Sequence, residues 1–229
     1  MKKAIKIISV GGSIIIPKTG FDIPFLKKFR QLILRQIKKG ERFILVIGGG
    51  AICRKYQDAA KQIVSLSNAD LDWIGIHTTI YNAQFVRYLF KDVAYKDIIT
   101  DPRKKVRTRK PLIIAAGWKP GFSTDRDAVL LAKTYGAKEL FNLSNISYVY
   151  DKDPNVYPEA KKLTYIDWQT LRDEIVGHTW KPGKSAPFDP IASKDAQKFG
   201  MKVGILNGTN LVEVQKAIEG KTFKGTIVE

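Results

Sequence analysis

Two short runs of apolar, largely β-branched residues, 4-AIKIISV-10 and 43-FILVI-47, each lead directly into glycine, as 11-GGS-13 and 48-GGG-50. Between them lies 25-FLKKFRQLILRQIKK-39. The short runs carry too little polar alternation for a strand with one wet face, so they read as strands buried on both sides. The middle segment has a helical period. Phe25, Phe29, Leu32 and Ile33 share one side, Lys and Arg fill the other, Pro24 suits the first turn and Gly40 the stop. Strand, covering helix and strand again constrain the chain to a largely parallel sheet with helices on both faces.

The alternation continues to the end. Helices are expected over about 52–65, 81–91, 127–135, 168–175, 191–199 and 211–218, and strands over 112–116, 139–143, 202–206 and 226–228. With 44% apolar residues in 229, the chain has enough material for a real core, and disorder is excluded. The expected fold is α/β, a three-layer αβα sandwich with a mainly parallel central sheet in one domain, residues 1–229. The Pro- and charge-rich stretch 151-DKDPNVYPEAKK-162 marks a boundary between two lobes of that sheet.

Charge adds a second constraint. There are 39 Lys plus Arg against 22 Asp plus Glu, a formal net charge of +17 that calls for an anionic partner: nucleic acid, an anionic surface or phosphorylated small molecules. The single cysteine, Cys53, excludes a disulfide framework, and nothing around it has zinc-ligand spacing; a cytoplasmic protein is expected. The opening 1-MKKAIKIISVGGSIIIP-17 is broken by Lys6 and two glycines and lacks a small-residue cleavage site, so it reads as a strand and not as a leader. No stretch approaches the ~18 apolar residues of a membrane span.

In open parallel sheets ligands bind at the carboxyl ends of strands, so the loops there carry the chemistry. Glycine lets backbone N–H groups approach an oxyanion, and the first turn of a helix presents partial positive charge to it; 11-GGS-13 and 48-GGG-50 both fit. Arg54, four residues past Gly50, adds a guanidinium one turn into the helix. Two other phosphate signatures fail. The segment 177-GHTWKPGKS-185 has five residues, not four, between its glycines and a proline where a Walker A loop needs an N–H. The dinucleotide fingerprint GxGxxG fails at Cys53, although Asp70 and Asp72 lie about 20 residues beyond. A third loop, 117-GWKPGFSTDRDAVLLA-132, offers Ser123 and Thr124 as hydroxyl donors or helix caps and Asp125 as a carboxylate, and 142-NLSNISYVYDKDP-154 gathers Asn145, Tyr148, Tyr150 and Asp153.

In order along the chain stand 11-GGS-13, 48-GGGAICRKY-56, 72-DWIGI-76, 117-GWKPGFSTD-125, 144-SNISYVYDKDP-154 and 189-DPIASK-194. Taken together these six motifs resemble the amino-acid kinase superfamily, and within it the archaeal-type uridylate (UMP) kinases. The resemblance implies transfer of a phosphoryl group from ATP to UMP with Mg2+, in pyrimidine nucleotide synthesis, by a homohexamer. It further implies an acceptor-binding lobe over about 1–140 and an ATP-binding lobe over about 141–229. By the same carry-over Gly11, Gly12, Ser13, Gly50 and Arg54 surround the ATP phosphates, and Ser144, Asn145, Tyr150 and Asp153 hold its nucleoside. Gly49, Asp72 and the loop Lys119, Pro120, Gly121, Phe122, Ser123 and Thr124 hold UMP, Asp72 at the ribose and the loop at the uracil edge. Arg54 and Asp125 are the catalytic candidates, Asp125 organising the reacting groups, with no protein side chain assigned to a metal.

The chain also departs from the family pattern. Ser9 stands where many members carry a phosphoryl-binding Lys, and Lys184 is the expected substitute cation. Trp118 stands where a small Thr is usual, and Arg126 and Asp127 replace small residues. The catalytic His of isopentenyl phosphate kinases has no counterpart before Trp73, and His77 and His178 read as structural. These departures leave two other readings: a relative acting on a different small acid or phosphate, or a catalytically weak nucleotide- or RNA-binding protein. The stretch 103-RKKVRTRK-110, six basic residues in eight, invites a nucleic-acid reading. It lacks interleaved aromatics, so a solvated loop is expected.

Overall fold

The computed structural model describes residues 4–154, 156–179 and 186–229. Its apolar runs are strands, and its amphipathic segments are the helices that cover them. The chain passes through β1 (Ile5–Val10), α1 (Gly12–Ile15), α2 (Ile23–Lys38), β2 (Arg42–Ile47), α3 (Gly50–Ile63), α4 (Asn68–Leu89), β3 (Ala94–Ile99), β4 (Leu112–Ala115), α5 (Thr124–Tyr135) and β5 (Glu139–Ser144). It continues through β6 (Val149–Tyr150), β7 (Lys162–Leu163), β8 (Tyr165–Ile166), α6 (Trp168–Thr170) with a π-helical turn (Leu171–Val176), α7 (Pro190–Lys198), β9 (Lys202–Asn207), α8 (Leu211–Ile218) and β10 (Thr226–Val228). Eight strands form one sheet in the order β3-β4-β2-β1-β5-β9-β10-β8, parallel at every pairing except β9 with β10. Strands β6 and β7 pair separately as an antiparallel hairpin.

Alternation along the strands divides the core into two layers, as a period of two requires. Ile7, Ile44, Val46, Ile113, Leu140 and Val203 pack with Ala128, Val129, Leu131 and Ala132 of α5 and Ala192 and Ala196 of α7. Their neighbours Ile8, Val10, Leu45, Ile47, Ile114 and Leu143 face the other way, onto Phe29, Leu32 and Ile33 of α2, Val86 of α4 and Val214 of α8. Two helical layers with the sheet between them are the expected three-layer α/β sandwich.

The central position of β1 sets the site. Hydrogen-bonded to β2 on one side and β5 on the other, it brings the loops after all three strands together. Gly11 N–H donates to Leu143 O at 2.8 Å, and Gly48 N–H to Val10 O at 3.0 Å. The two glycine runs then meet backbone to backbone. A Cβ on Gly12 would fall 2.1 Å from Gly50 N, one on Gly48 2.7 Å from Gly12 N, and one on Gly50, whose φ is +68°, 2.6 Å from the Gly12 carbonyl. No side chain fits between the loops.

The short α1, β6, β7 and β8 had no counterpart in the sequence expectation, and three longer elements differ from it. Helix α4 begins at Asn68, well before residue 81, because Ser67 and Asp70 form a capping box: Asp70 N–H donates to Ser67 Oγ at 3.2 Å and Ser67 N–H to Asp70 Oδ2 at 2.9 Å. Gly75 and the β-branched Ile74, Ile76 and Thr78 weaken its helical pattern there, while Leu71, Ile76 and Thr78 are buried against the neighbouring elements. Strand β3 was not foreseen because it is an edge strand, with Lys96 and Asp97 exposed in its middle. Helix α5 starts at Thr124, not 127, so the end of the third loop motif is already helix.

Glycines 50 and 75 give opposite expectations. Gly50→Ala combines a left-handed φ with a backbone clash and is expected to cost about 3 kcal/mol or more in denaturant unfolding. Gly75→Ala, inside α4 with only 3.6 Å contacts to Cys53 and Gln57, is expected to stabilise by about 0.5–1 kcal/mol. Equal midpoints for the two variants would contradict the interlocked loops.

Candidate active site

The N-terminus of α3 stands at the junction of the glycine loops. Gly49 is its cap residue, and no side chain caps it, so the first-turn N–H groups have no side-chain acceptor. One turn in, Arg54 is exposed and makes no ion pair with a carboxylate among the described residues. The loop is held from behind. Asn82 of α4, fully buried, donates from Nδ2 to Gly48 O at 2.9 Å and to Gly49 O at 3.0 Å. With its carbonyls tied back in this way, the loop leaves its N–H side for an anion.

Helix α4 also organises the third loop. Asp72 Oδ2 accepts from Gly121 N–H at 2.8 Å, so Asp72 and the 119–124 loop come together. Thr79 Oγ1 accepts from Gly117 N–H at 2.8 Å. Gly121 adopts φ +80°, which lets the loop turn before α5. Ser123 is the N-cap of α5, its Oγ accepting from Arg126 N–H at 3.2 Å, which leaves Thr124 and Asp125 in the first helical turn. Arg126 does not pair with Asp127; its Nε lies 2.9 Å from Asp195 Oδ2 on α7, with the guanidinium 4.0 Å from the centre of the Phe122 ring.

Asp125 is held from two strands. Its Oδ1 accepts from Ser9 Oγ at 3.0 Å and from Asn142 Nδ2 at 3.1 Å, and these partners are register neighbours on β1 and β5. Thus the position that lacks a lysine supplies a hydroxyl to Asp125 instead. Desolvation, reinforced by the nearby Asp189 carboxylate, raises the Asp125 pKa to about 6, partly offset by the Ser9 hydrogen bond. Desolvation also raises Asp189, whose Oδ1 caps α7. Asp127, fully buried, is raised to about 8 by desolvation; Oδ2 accepts from Trp118 N–H at 3.1 Å while Oδ1 has no partner.

Away from the acids, Ser144, Asn145, Tyr150 and Asp153 line one cavity of about 400 Å³, together with Glu174 and Ile175. That volume suits a nucleoside. The predicted nucleoside residues are therefore brought together, as are Gly11, Gly12, Ser13, Gly49 and Gly50 at the interlocked loops, and Asp72 with Lys119, Pro120, Gly121, Phe122, Ser123 and Thr124. Lys184 lies outside the described residues. Cys53 packs against the glycine loop, where a Cβ on Gly49 would fall 2.8 Å from its own Cβ; burial pushes its thiol pKa up, away from reactivity. His77 stacks on Trp73 at 5.7 Å, and His178 lies 3.1 Å from Asp173, both local structural contacts.

Asn82, Thr79 and Asn142, which hold the loops and Asp125, are positions not singled out from the sequence. Asn142 did carry a signal, since it and Ser9 are polar residues flanked by apolar ones within strands, where a buried polar group needs a specific partner. Asn82 carried none, because its acceptors are backbone carbonyls 33 and 34 residues away.

Comparison with known proteins gives a consistent result. The sequence model of the amino acid kinase family matches residues 4–207. A uridylate kinase of Thermococcus kodakarensis is 34% identical over 225 residues, covering 97% of this chain and 98% of that protein. One of Thermococcus sibiricus is 33% identical over the same shares. The crystal structure of uridylate kinase from Archaeoglobus fulgidus aligns with a TM-score of 0.80 at 25% identity, covering 99% of this chain and 100% of that one.

Asp127 gives a test with a definite sign. Its folded pKa lies above its unfolded value, so the folded state binds the extra proton and stability falls as pH rises from about 4 to about 8. Asp127→Asn keeps an acceptor for Trp118 N–H without the titration. It is expected to melt close to the wild type at pH 4 and several degrees above it at pH 8; a constant difference across that range would contradict the raised pKa.

Proposed function

The chain belongs to the amino acid kinase family, and we propose that it works as a uridylate kinase, passing the γ-phosphoryl group of ATP to the phosphate of UMP to give UDP and ADP. The observation that carries this reading is the hydrogen bond from Gly121 N–H to Asp72, which joins the acceptor loop to α4 beside the glycine loops. Asp72 then faces the ribose hydroxyls, and the backbone of 119–124 with Thr124 faces the uracil edge. Gly49 N–H takes the UMP phosphate. Gly11, Gly12, Ser13, Gly50 and Arg54 surround the ATP phosphates, and the cavity of Ser144, Asn145, Tyr150 and Asp153 takes the nucleoside of ATP.

Phosphoryl transfer needs two anchored phosphates in line and positive charge where the equatorial oxygens gain negative charge. The loop contact supplies the first requirement, because Gly12 and Gly50 cannot separate without breaking the packing of both loops. Arg54 and the α3 N-terminus supply the second, in place of the lysine that Ser9 replaces, and Lys184 remains the candidate for a further cation. Asp125 orders Ser9 and Asn142 at the floor between the phosphates. Mg2+ keeps waters and takes one or two carboxylates plus phosphates, so it would enter with ATP. Asp125 and Asp189, hard oxygen donors that repel each other, are the carboxylates that fit it; bound there it would neutralise phosphate charge.

The setting is the cytoplasm and pyrimidine nucleotide synthesis, and no helix among the described residues is long and apolar enough to cross a membrane. Assembly as a homohexamer has support in exposed apolar side chains. Phe21, before α2, with Tyr56 of α3 and Tyr81 of α4 rims a cavity of about 640 Å³, and Ile63, Trp73 and Tyr88 are exposed on α3 and α4. A sedimentation mass of one chain would remove that part of the reading.

With ATP and Mg2+, UMP is expected to be turned over faster than CMP or any other small phosphate or acid in an acceptor panel; turnover of another acceptor without UMP would overturn the function. Arg54→Ala is expected to lower kcat/KM for UMP by about 10³-fold with the melting temperature unchanged. Wild-type kinetics in that variant would displace the proposed phosphate site.

A further inference from the structure

The basic stretch 103–110 is absorbed by none of this chemistry. In the structure it is a shaped segment, not a loose loop. Thr134 Oγ1 donates to Pro102 O at 2.8 Å, Val106 N–H donates to Tyr135 Oη at 2.9 Å, and Lys110 Nζ donates to Asp92 O at 2.9 Å. Asp101 grips Arg103 with both carboxylate oxygens, each at 3.0 Å. Lys105, Arg107 and Arg109 are exposed and form no ion pair among the described residues. A row of uncompensated cations on a fixed backbone loses little conformational freedom on meeting a polyanion.

The aromatics missing from the stretch itself are supplied by the fold. Arg103 lies 4.3 Å from the centre of the Trp118 ring, and Lys105 lies 5.4 Å from that of Tyr135. Trp118, only partly covered, has Phe122 edge-on at 4.9 Å and Lys119 over its ring at 4.3 Å. Cations interleaved with partly open aromatic rings combine backbone neutralisation with a base-stacking platform. Duplexes hide their bases from such a platform, and a lipid surface has none to stack.

We propose that the face formed by residues 101–110 with Trp118 and Tyr135 binds single-stranded nucleic acid, Lys105, Arg107 and Arg109 neutralising phosphates and Trp118 stacking a base. The face is separate from the nucleoside cavity of Ser144 to Asp153 and borders the acceptor loop through the contacts of Trp118 with Lys119 and Phe122.

Fluorescence anisotropy with a labelled single-stranded RNA of about 12 nucleotides, titrated with the full chain at several salt concentrations, tests this. Changing Lys105→Glu, Arg107→Glu and Arg109→Glu together is expected to weaken binding about tenfold or more and to reduce the slope of log K on log salt by about 2, from three phosphates at about 0.7 each. UMP phosphorylation by that variant is expected to match the wild type. Should charge reversal unfold the loop, shown by a lower melting temperature, the corresponding Gln substitutions carry the same expectation. Trp118→Ala is expected to weaken RNA binding about tenfold with the salt slope intact, and Trp118→Phe to restore it. Wild-type RNA affinity in the folded triple variant overturns the proposal. So does preference for a duplex of the same length or for phosphatidylglycerol vesicles, or an affinity unaffected by Trp118→Ala.

Discussion

The contact on which this structure depends is between two stretches of bare backbone. Gly12 and Gly50 approach so closely that a methyl group on either would overlap the other's main chain. Neither a turn requirement nor flexibility alone explains glycine at both places; the loops after β1 and β2 need it in order to touch. Because those strands are neighbours in register, from Ile5 against Arg42 to Val10 against Ile47, the contact is a direct extension of the sheet. Two loops that each present N–H groups are thereby fixed side by side, which is the arrangement that two phosphates in line require.

Around that contact the protein places carboxylates where water is scarce. Asp125, Asp127 and Asp189 are all raised, chiefly by desolvation, in a chain whose net charge is +17. The surplus of positive charge therefore does not sit uniformly over the site. Arg126 is taken up by Asp195 and Arg103 by Asp101, leaving Arg54 as an exposed cation at the glycine loops and the 105–109 cations on the flank. Local charge here follows pairing, and the net count alone would mislead.

Much of the fold was legible because buried parallel strands announce themselves as apolar runs and their covering helices as 3.6-residue periods. Strands β1, β2, β4, β5, β9 and β10 and most helices were placed within a few residues. What was missed had competing physics: β3 disguises itself with edge charges, the start of α4 is written only in the Ser67–Asp70 capping box, and α1, β6, β7 and β8 are too short to show a period. At the site, the grouping of Asp72 with the 119–124 loop and of Ser144, Asn145, Tyr150 and Asp153 around one cavity followed from motif order. The clamp by Asn82 did not, because a side chain that binds distant backbone carbonyls leaves no local pattern. Trp118 and Arg103 illustrate the same limit, being joined only by the fold.

The central claim is that the interlocked glycine loops hold donor and acceptor phosphates side by side. A crystal structure with UMP and a non-hydrolysable ATP analogue tests it most directly. The UMP phosphate is expected on the N–H group of Gly49, the analogue's terminal phosphate on those of Gly12 and Ser13 with Arg54 closing on it, and uracil against the 119–124 loop. UMP bound away from Asp72, or either phosphate away from the glycine loops, would contradict it.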